Sequence, residues 1–239
     1  MSDVRVRRIV SGRGGGRSTG PYAAFNLGGA VGDDPKAVAA NRSRLAAAAG
    51  LTPDRVVWMQ QVHGTAVRTV TDGGADTAAT DGIVTTTTGL GLAVLIADCV
   101  PLLAADPSAG VIGAAHAGRK GSAAGIDREL LTTMVAAGAD VGRIEVLVGP
   151  AICGACYEVP IAMRDEIDAL LPGSATTTGR GTPGLDLRAG LVRRLKIAGV
   201  AGVKVDPRCT YEDPALYSHR RGAPTGRQAG LIWLDTTAG

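Results

Sequence analysis

Two of the three histidines in this 239-residue chain flank a cysteine, each residue in a setting punctuated by glycine or proline. The segments read Gln61-Val62-His63-Gly64, Ala97-Asp98-Cys99-Val100-Pro101 and Ala115-His116-Ala117-Gly118-Arg119. Two imidazoles and a thiolate are the ligand set of an open zinc site. Structural zinc sites close with four protein ligands, whereas catalytic ones keep three and leave a position for water or substrate. The same trio also fits a Cys-His nucleophile pair with a spare histidine. Either chemistry makes the chain an enzyme candidate. A bland reading stands beside both, because a buried cysteine usually behaves as a small hydrophobe and a lone histidine usually packs without a task. The separations, 36 residues from His63 to Cys99 and 17 from Cys99 to His116, do not by themselves bring the three together.

Asp81 and Asp98 are the acids best placed to orient a ligand or move protons, and either also serves as a turn former. The run Ala117-Gly118-Arg119-Lys120-Gly121-Ser122 precedes a helix. Free backbone N–H groups there, with an arginine and a lysine, suit an anion. Cys153-Gly154-Ala155-Cys156 is a CxxC, a pattern that serves zinc or redox chemistry. No second CxxC exists, so these read as two incidental thiols, and Cys209 alone says nothing. The glycine-rich run Arg13 to Arg17 matches no phosphate or dinucleotide fingerprint and reads as a flexible hairpin tip. HExxH, a nucleophile elbow and the zinc deaminase signature are all missing.

These residues need elements to hold them. Val4 to Val10 alternates and predicts a strand. Gly12 to Gly20 predicts a mobile loop. Asp34-Pro35 caps a helix that stops at Gly50. Segments 55–62 and 66–70 predict a strand pair joined at His63-Gly64-Thr65, and 72–80 reads as polar and exposed. Four short apolar runs, 82–86, 92–96, 102–105 and 111–115, fit buried strands. Pro101 is expected to interrupt its ladder. The three ligand candidates then fall at strand ends. Helices are predicted over 122–137, 160–171 and 186–198, with strands at 144–148, 203–205 and 231–234. Gly173 to Gly184 reads as the most loop-like internal stretch. The mixture predicts an α+β fold, one domain over 1–239, with a mixed and largely antiparallel sheet flanked by helices.

Composition narrows the function classes. Hydrophobic residues make up 45%, enough for a sizeable core, but aromatics only 3%, so the core is built from Ala, Val, Leu and Ile. A net charge of +3 is too mild to argue for nucleic acid, and few aromatics are available to stack bases. The basic cluster His219-Arg220-Arg221 and Arg227 suits an anionic small molecule. No signal core or apolar run of membrane-spanning length is visible, so a cytoplasmic, monomeric or weakly oligomeric protein is expected, with its four cysteines reduced.

Taken in order, the segments Asn26-Leu27-Gly28, Gly32-Asp33-Asp34-Pro35, Asn41-Arg42, Gln61-Val62-His63-Gly64, Asp81-Gly82, Asp98-Cys99-Val100-Pro101, His116-Ala117-Gly118-Arg119, Gly149-Pro150-Ala151, Cys156-Tyr157-Glu158 and Tyr217-Ser218-His219-Arg220-Arg221 resemble the YfiH family, also called the laccase-domain or polyphenol oxidase family. The resemblance covers nearly the whole chain. It implies a cysteine-hydrolase-like fold and a metal site of His63, Cys99 and His116, holding zinc (or copper) at about one ion per chain. It further implies a purine nucleoside phosphorylase acting on adenosine, inosine and methylthioadenosine with phosphate, and an adenosine deaminase activity. Asn26, Arg42 and Arg119 fall at motif positions suited to substrate or phosphate. A metal-free cysteine hydrolase acting on a peptidoglycan-precursor amide and a copper-dependent polyphenol oxidase are the alternatives. His219 departs from the family's common aromatic residue, and Cys153 is less expected there than Cys156.

Overall fold

The structure, a computed structural model, describes residues 4–74 and 77–235. The start of the Met1–Val10 stretch and two residues of the polar segment 72–80 lie outside them. In chain order the elements are β1 (Arg5–Val10), α1 (Pro35–Ala48), β2 (Val56–Val57), β3 (Val67–Thr69), β4 (Gly82–Thr85), β5 (Gly91–Ile96), β6 (Val100–Asp106), β7 (Val111–Ala117), α2 (Arg119–Ala124), α3 (Ile126–Ala136), β8 (Glu145–Val148), α4 (Ile161–Leu170), β9 (Ala175–Thr177), β10 (Pro183–Leu185), α5 (Leu187–Ile197), β11 (Gly202–Val205) and β12 (Gln228–Asp235).

Two sheets stack at the centre. One is four-stranded in the order β1-β12-β5-β2, the other six-stranded in the order β11-β8-β6-β7-β4-β3. The pairs β2·β5, β3·β4 and β8·β11 are parallel, and every other pairing within these sheets is antiparallel. The fold is therefore α+β with mixed, largely antiparallel sheets. Side chains alternate across each strand. In β6, Leu102 and Ala104 face Ile126, Leu130, Met134 and Leu191 of the helices, whereas Leu103 and Ala105 face Leu92, Val94 and Ile232 of the other sheet. The smaller sheet repeats the pattern, with Ala93, Leu231 and Trp233 packed under Leu45 and Ala46 of α1. Layers of α1, sheet, sheet and helices result. Strands buried on both faces read as continuous apolar runs, which is why β4 to β7 stand out in the sequence.

Several expectations change. Segments 55–62 and 66–70 do not pair with each other: β2 joins β5 in one sheet and β3 joins β4 in the other. Periodicity identifies a strand but not its partner. The 122–137 helix is broken at Gly125, whose φ of 100° ends α2 and starts α3. Residues 13–17 form no hairpin tip, because β1 pairs with the distant β12. That loop is anchored, with Arg13 N donating to Ala215 O at 2.8 Å and Phe25 N to Arg13 O at 2.8 Å. A Cβ on Gly16 would lie 2.2 Å from Ala24 O, so glycine is required there for close approach. Gly173 to Gly184 folds into the β9–β10 hairpin. Pro101 does not interrupt its ladder; it sits near the start of β6, in register with His116.

The helical layer is tied through a buried ion pair. Arg194 of α5 donates from Nε to Asp127 Oδ2 of α3 at 2.7 Å and reaches Asp127 Oδ1 and Ser122 O with a terminal nitrogen. Removing one partner leaves the other charge buried without compensation. Asp127→Ala is expected to lower the unfolding free energy by about 3–5 kcal/mol. Denaturant titration by circular dichroism measures it, and a loss below about 1 kcal/mol would mean the pair behaves like a surface one.

Candidate active site

The residues predicted to act together do meet. The ligand atoms of His63, Cys99 and His116 all lie within 4.8 Å of one another. Cys99 Sγ is 3.9 Å from His63 Nε2, and the two imidazoles pack edge to face with centroids 4.7 Å apart. Their placement differs from three strand ends. His116 lies inside β7, Cys99 lies in the turn between β5 and β6, and His63 occupies a bend beyond β2. His63 and Asp98 have φ values of 63° and 94°, uncommon for residues with a side chain. Such conformations persist only where the surroundings enforce them.

Asp81 supplies that enforcement for His63. Its buried carboxylate accepts from the backbone N–H of Val62 at 3.1 Å, His63 at 2.9 Å and Gly64 at 2.8 Å. It also takes His116 Nδ1 at 2.8 Å, while Asp81 O accepts from His116 N at 2.7 Å. With Nδ1 donating to the carboxylate, His116 presents Nε2 to the site, the orientation typical of a metal-bound histidine. Burial pushes the Asp81 carboxyl up, but the hydrogen bonds from His116, Gly64 and Val62 outweigh it and hold the group below its ordinary value.

Asp98 acts differently. Its carboxylate accepts from Thr210 Oγ1 and Arg220 N, both at 2.7 Å, and its carbonyl accepts from Ile152 N at 3.0 Å. It shapes the turn that presents Cys99. Gly118 leaves room at the centre. A Cβ there would lie 2.7 Å from His63 Cδ2, 3.3 Å from Cys99 Sγ and 3.4 Å from His116 Cε1. An open space ringed by two imidazoles and a thiol, with one imidazole oriented by a buried carboxylate, fits a divalent transition metal.

The trio opens into a cleft of about 960 Å³, within the size range of small-molecule sites. Arg42, Arg119, Tyr157, His219, Arg220 and Arg227 line it. Arg119 opens α2, while its neighbour Lys120 is exposed and outside the lining. Arg42 donates from Nε to Leu27 O at 3.0 Å and stacks over Trp58 at 4.1 Å, so part of its guanidinium holds the wall. Asn26 is the exception among the predicted substrate contacts. It is fully buried behind the wall, donating to Gly28 O and Asp33 Oδ2 and accepting from Gly28 N and Arg227 N. It shapes the loop rather than meeting a ligand. Arg221 also turns away, donating to the carbonyls of Thr210, Tyr211 and Asp213. Tyr157 was not singled out from the sequence. Burial raises its phenol and Cys99 adds to this, against Arg119 and Arg220, so it stays protonated.

Fold and site together define an α+β sandwich protein whose His-Cys-His centre lines a cleft shared with several arginines. A family described as multi-copper polyphenol oxidoreductase laccase matches residues 7–235. A protein of Mycobacterium tuberculosis named purine nucleoside phosphorylase is 56% identical over 234 residues, 97% of this chain and 93% of that one. The crystal structure of YlmD from Geobacillus stearothermophilus aligns with a TM-score of 0.89 and 35% identity, over 96% of this chain and 92% of that one. Bacillus licheniformis YfiH, a hypothetical protein, gives a TM-score of 0.89 at 29% identity over 96% and 93%. The chain belongs to this laccase-like YfiH family.

Protonation of Cys99 and His116 sets a pH dependence. Burial pushes the Cys99 thiol up, but hydrogen bonds and charge from His116 and His63 overcome it and bring it to about 6. Burial likewise lowers His116, and its bonds to Asp81 and Cys99 overcome that and raise it to about 9. Between these values the metal-free pair is a thiolate facing an imidazolium. A metal must displace the His116 proton, and below about 6 the Cys99 proton as well. Affinity should therefore rise about tenfold per pH unit from this pair between 6 and 9, and fall more steeply below 6. Zinc competition titrations across pH read the slope, and a flat profile would contradict the proton count.

Proposed function

We propose that this chain is a zinc-dependent purine nucleoside phosphorylase acting on adenosine, inosine and methylthioadenosine, with adenosine deaminase activity at the same centre. The observation that carries the reading is that the His63–Cys99–His116 trio and the cationic side chains of Arg119, Arg220 and Arg227 share one cleft. The name of the mycobacterial relative supports it. On this reading residues 1–239 form one cytoplasmic, monomeric or weakly associated unit that binds neither nucleic acid nor membrane. No helix among the described residues is long and apolar enough to cross a membrane.

In phosphorolysis a phosphate oxygen bonds to the anomeric carbon of ribose as the bond to the purine nitrogen breaks. The electron pair leaves with the base, and positive charge develops on the sugar. On this reading Arg119 and Arg220, which line the cleft, hold phosphate oxygens, since a planar guanidinium binds them in pairs. Tyr157, kept protonated, offers an O–H to the substrate. His63, Cys99 and His116 would hold the zinc, with Asp81 orienting His116. Zinc supplies Lewis-acid polarisation there. The copper alternative is disfavoured because the whole chain has three histidines, too few for a multicopper centre.

Arg119→Lys tests the phosphate assignment. Loss of a paired, charge-assisted contact costs about 1.5–3 kcal/mol, so phosphate-dependent inosine cleavage should fall about 10- to 100-fold. Adenosine deamination consumes water and should fall less. Equal losses across a phosphate titration would show that Arg119 holds the nucleoside or the fold instead.

One observation favours a second reading, a metal-free cysteine hydrolase. Cys99, His116 and Asp81 form a thiolate–imidazole–carboxylate series, with the thiol at about 6. In amide hydrolysis the Cys99 sulfur would attack the carbonyl carbon, and His116 would protonate the departing amine. The thioester would then hydrolyse. If zinc holds the sulfur as proposed, intact-mass analysis of zinc-loaded protein after incubation with an amide substrate should show no adduct on Cys99. A trapped acyl-enzyme would establish the hydrolase reading.

A further inference from the structure

Behind the cleft wall lies a second group of soft ligands. The ligand atoms of Cys153, Cys156, Cys209 and Glu212 all lie within 4.8 Å of one another. They come from two turns far apart in sequence, Cys153-x-x-Cys156 and Cys209-x-x-Glu212. The second turn repeats the spacing of the first with a carboxylate in the last position, so a search for a second CxxC misses it. Cys153 and Cys156, read from the sequence as two incidental thiols, sit beside Cys209 and Glu212.

The backbone brings these four groups together. Each turn closes on itself, with Cys156 N and Tyr157 N donating to Cys153 O at 3.0 Å and Asp213 N to Cys209 O at 2.9 Å. The turns are tied by Thr210 N to Ala151 O at 3.2 Å and by Cys153 N to Cys209 Sγ at 3.3 Å. Cys156 Sγ is 3.3 Å from Glu212 Oε1. Gly154 allows the first turn to pack, since a Cβ there would lie 2.9 Å from both Asp186 Cβ and Thr176 Cγ2. Burial raises the Cys153 and Cys156 thiols, with Cys209 adding to the first and Glu212 to the second.

We propose that Cys153, Cys156, Cys209 and Glu212 form a closed, structural zinc site, separate from the His63–Cys99–His116 centre. Four protein ligands with no open position are the structural form of zinc coordination, and thiolate-rich sets select zinc over hard cations. Tetrahedral coordination with Zn–S near 2.3 Å needs sulfurs about 3.8 Å apart. All four ligand atoms lie within 4.8 Å of one another, so closure by at most about 1 Å is needed. Zinc binding deprotonates the three thiols and releases their protons to solvent, with no oxidant needed. The ion would clip segment 151–157 to segment 209–212. Thr210 in that clip donates to Asp98 at 2.7 Å, and Asp98 shapes the turn carrying Cys99. The site thus braces the wall that presents the catalytic thiol.

Cys99→Ala separates the two sites. Full-length protein from zinc-supplemented cells should contain about two zinc ions in the wild type and about one in Cys99→Ala. Cys99→Ala/Cys156→Ser should contain almost none. Cobalt(II) loaded into Cys99→Ala should show strong sulfur-to-cobalt charge transfer and tetrahedral visible bands, because three thiolates remain. The exposed Glu212→Gln variant, checked for folding by circular dichroism, should keep zinc but lose it faster to a chelator. A Cys99→Ala protein without zinc and without the cobalt charge-transfer band would overturn the proposal. So would a disulfide among Cys153, Cys156 and Cys209 found by mass analysis in protein purified under zinc.

Discussion

The buried carboxylate of Asp81 is the interaction on which the site depends. A charge taken out of water is costly unless donors replace its hydration. Here three consecutive backbone N–H groups and His116 Nδ1 do so. The same four bonds hold His63 in its left-handed conformation and set the tautomer of His116. One carboxylate therefore couples a loop to a sheet strand and positions two histidines of the trio at once. Without it, the loop 62–64 would have neither its shape nor its place against β7.

The sandwich provides the rigidity that this coupling needs. β6 and β7 are buried along their whole length, between the second sheet on one side and α3 and α5 on the other. His116 thus projects from a strand with little freedom to move. The space beside it exists because glycine occupies position 118 at the start of α2. Gly121 serves the same packing from the next turn, where a Cβ would lie 2.7 Å from Gly64 O. The cleft is kept open by the absence of side chains as much as by the presence of ligands.

Charge surrounds this centre on two sides. Cys99 lines the cleft together with Arg42, Arg119, Arg220 and Arg227, and Asp81 lies buried behind His116. Arg220 stacks on Tyr157 at 5.0 Å and donates to Glu158 O, while its backbone N–H holds Asp98. A cationic residue of the cleft is thereby tied to the turn that carries Cys99. The Cys209–Glu212 turn braces the same aspartate from the other side through Thr210.

The sequence by itself determined the secondary elements that apolar periodicity can mark: β1, α1, β4 to β8, α4, α5 and the late strands. It also determined the ligand types, because two imidazoles and a thiol permit few chemistries, and the ordered motifs pointed to the family. Partner choice was not legible. β2 and β3 follow one another closely yet enter different sheets, because pairing depends on which buried faces meet. Gly125 lies inside the helix expected over 122–137, and only its positive φ shows the break. Asn26 looked like a ligand contact, and only burial shows it to be part of the wall. The Cys153–Glu212 cluster was hidden because its halves are 56 residues apart in each pairing and one half ends in a carboxylate. Residue type fixes what chemistry is available. Which residues share a site is decided by long-range packing, which local spacing does not encode.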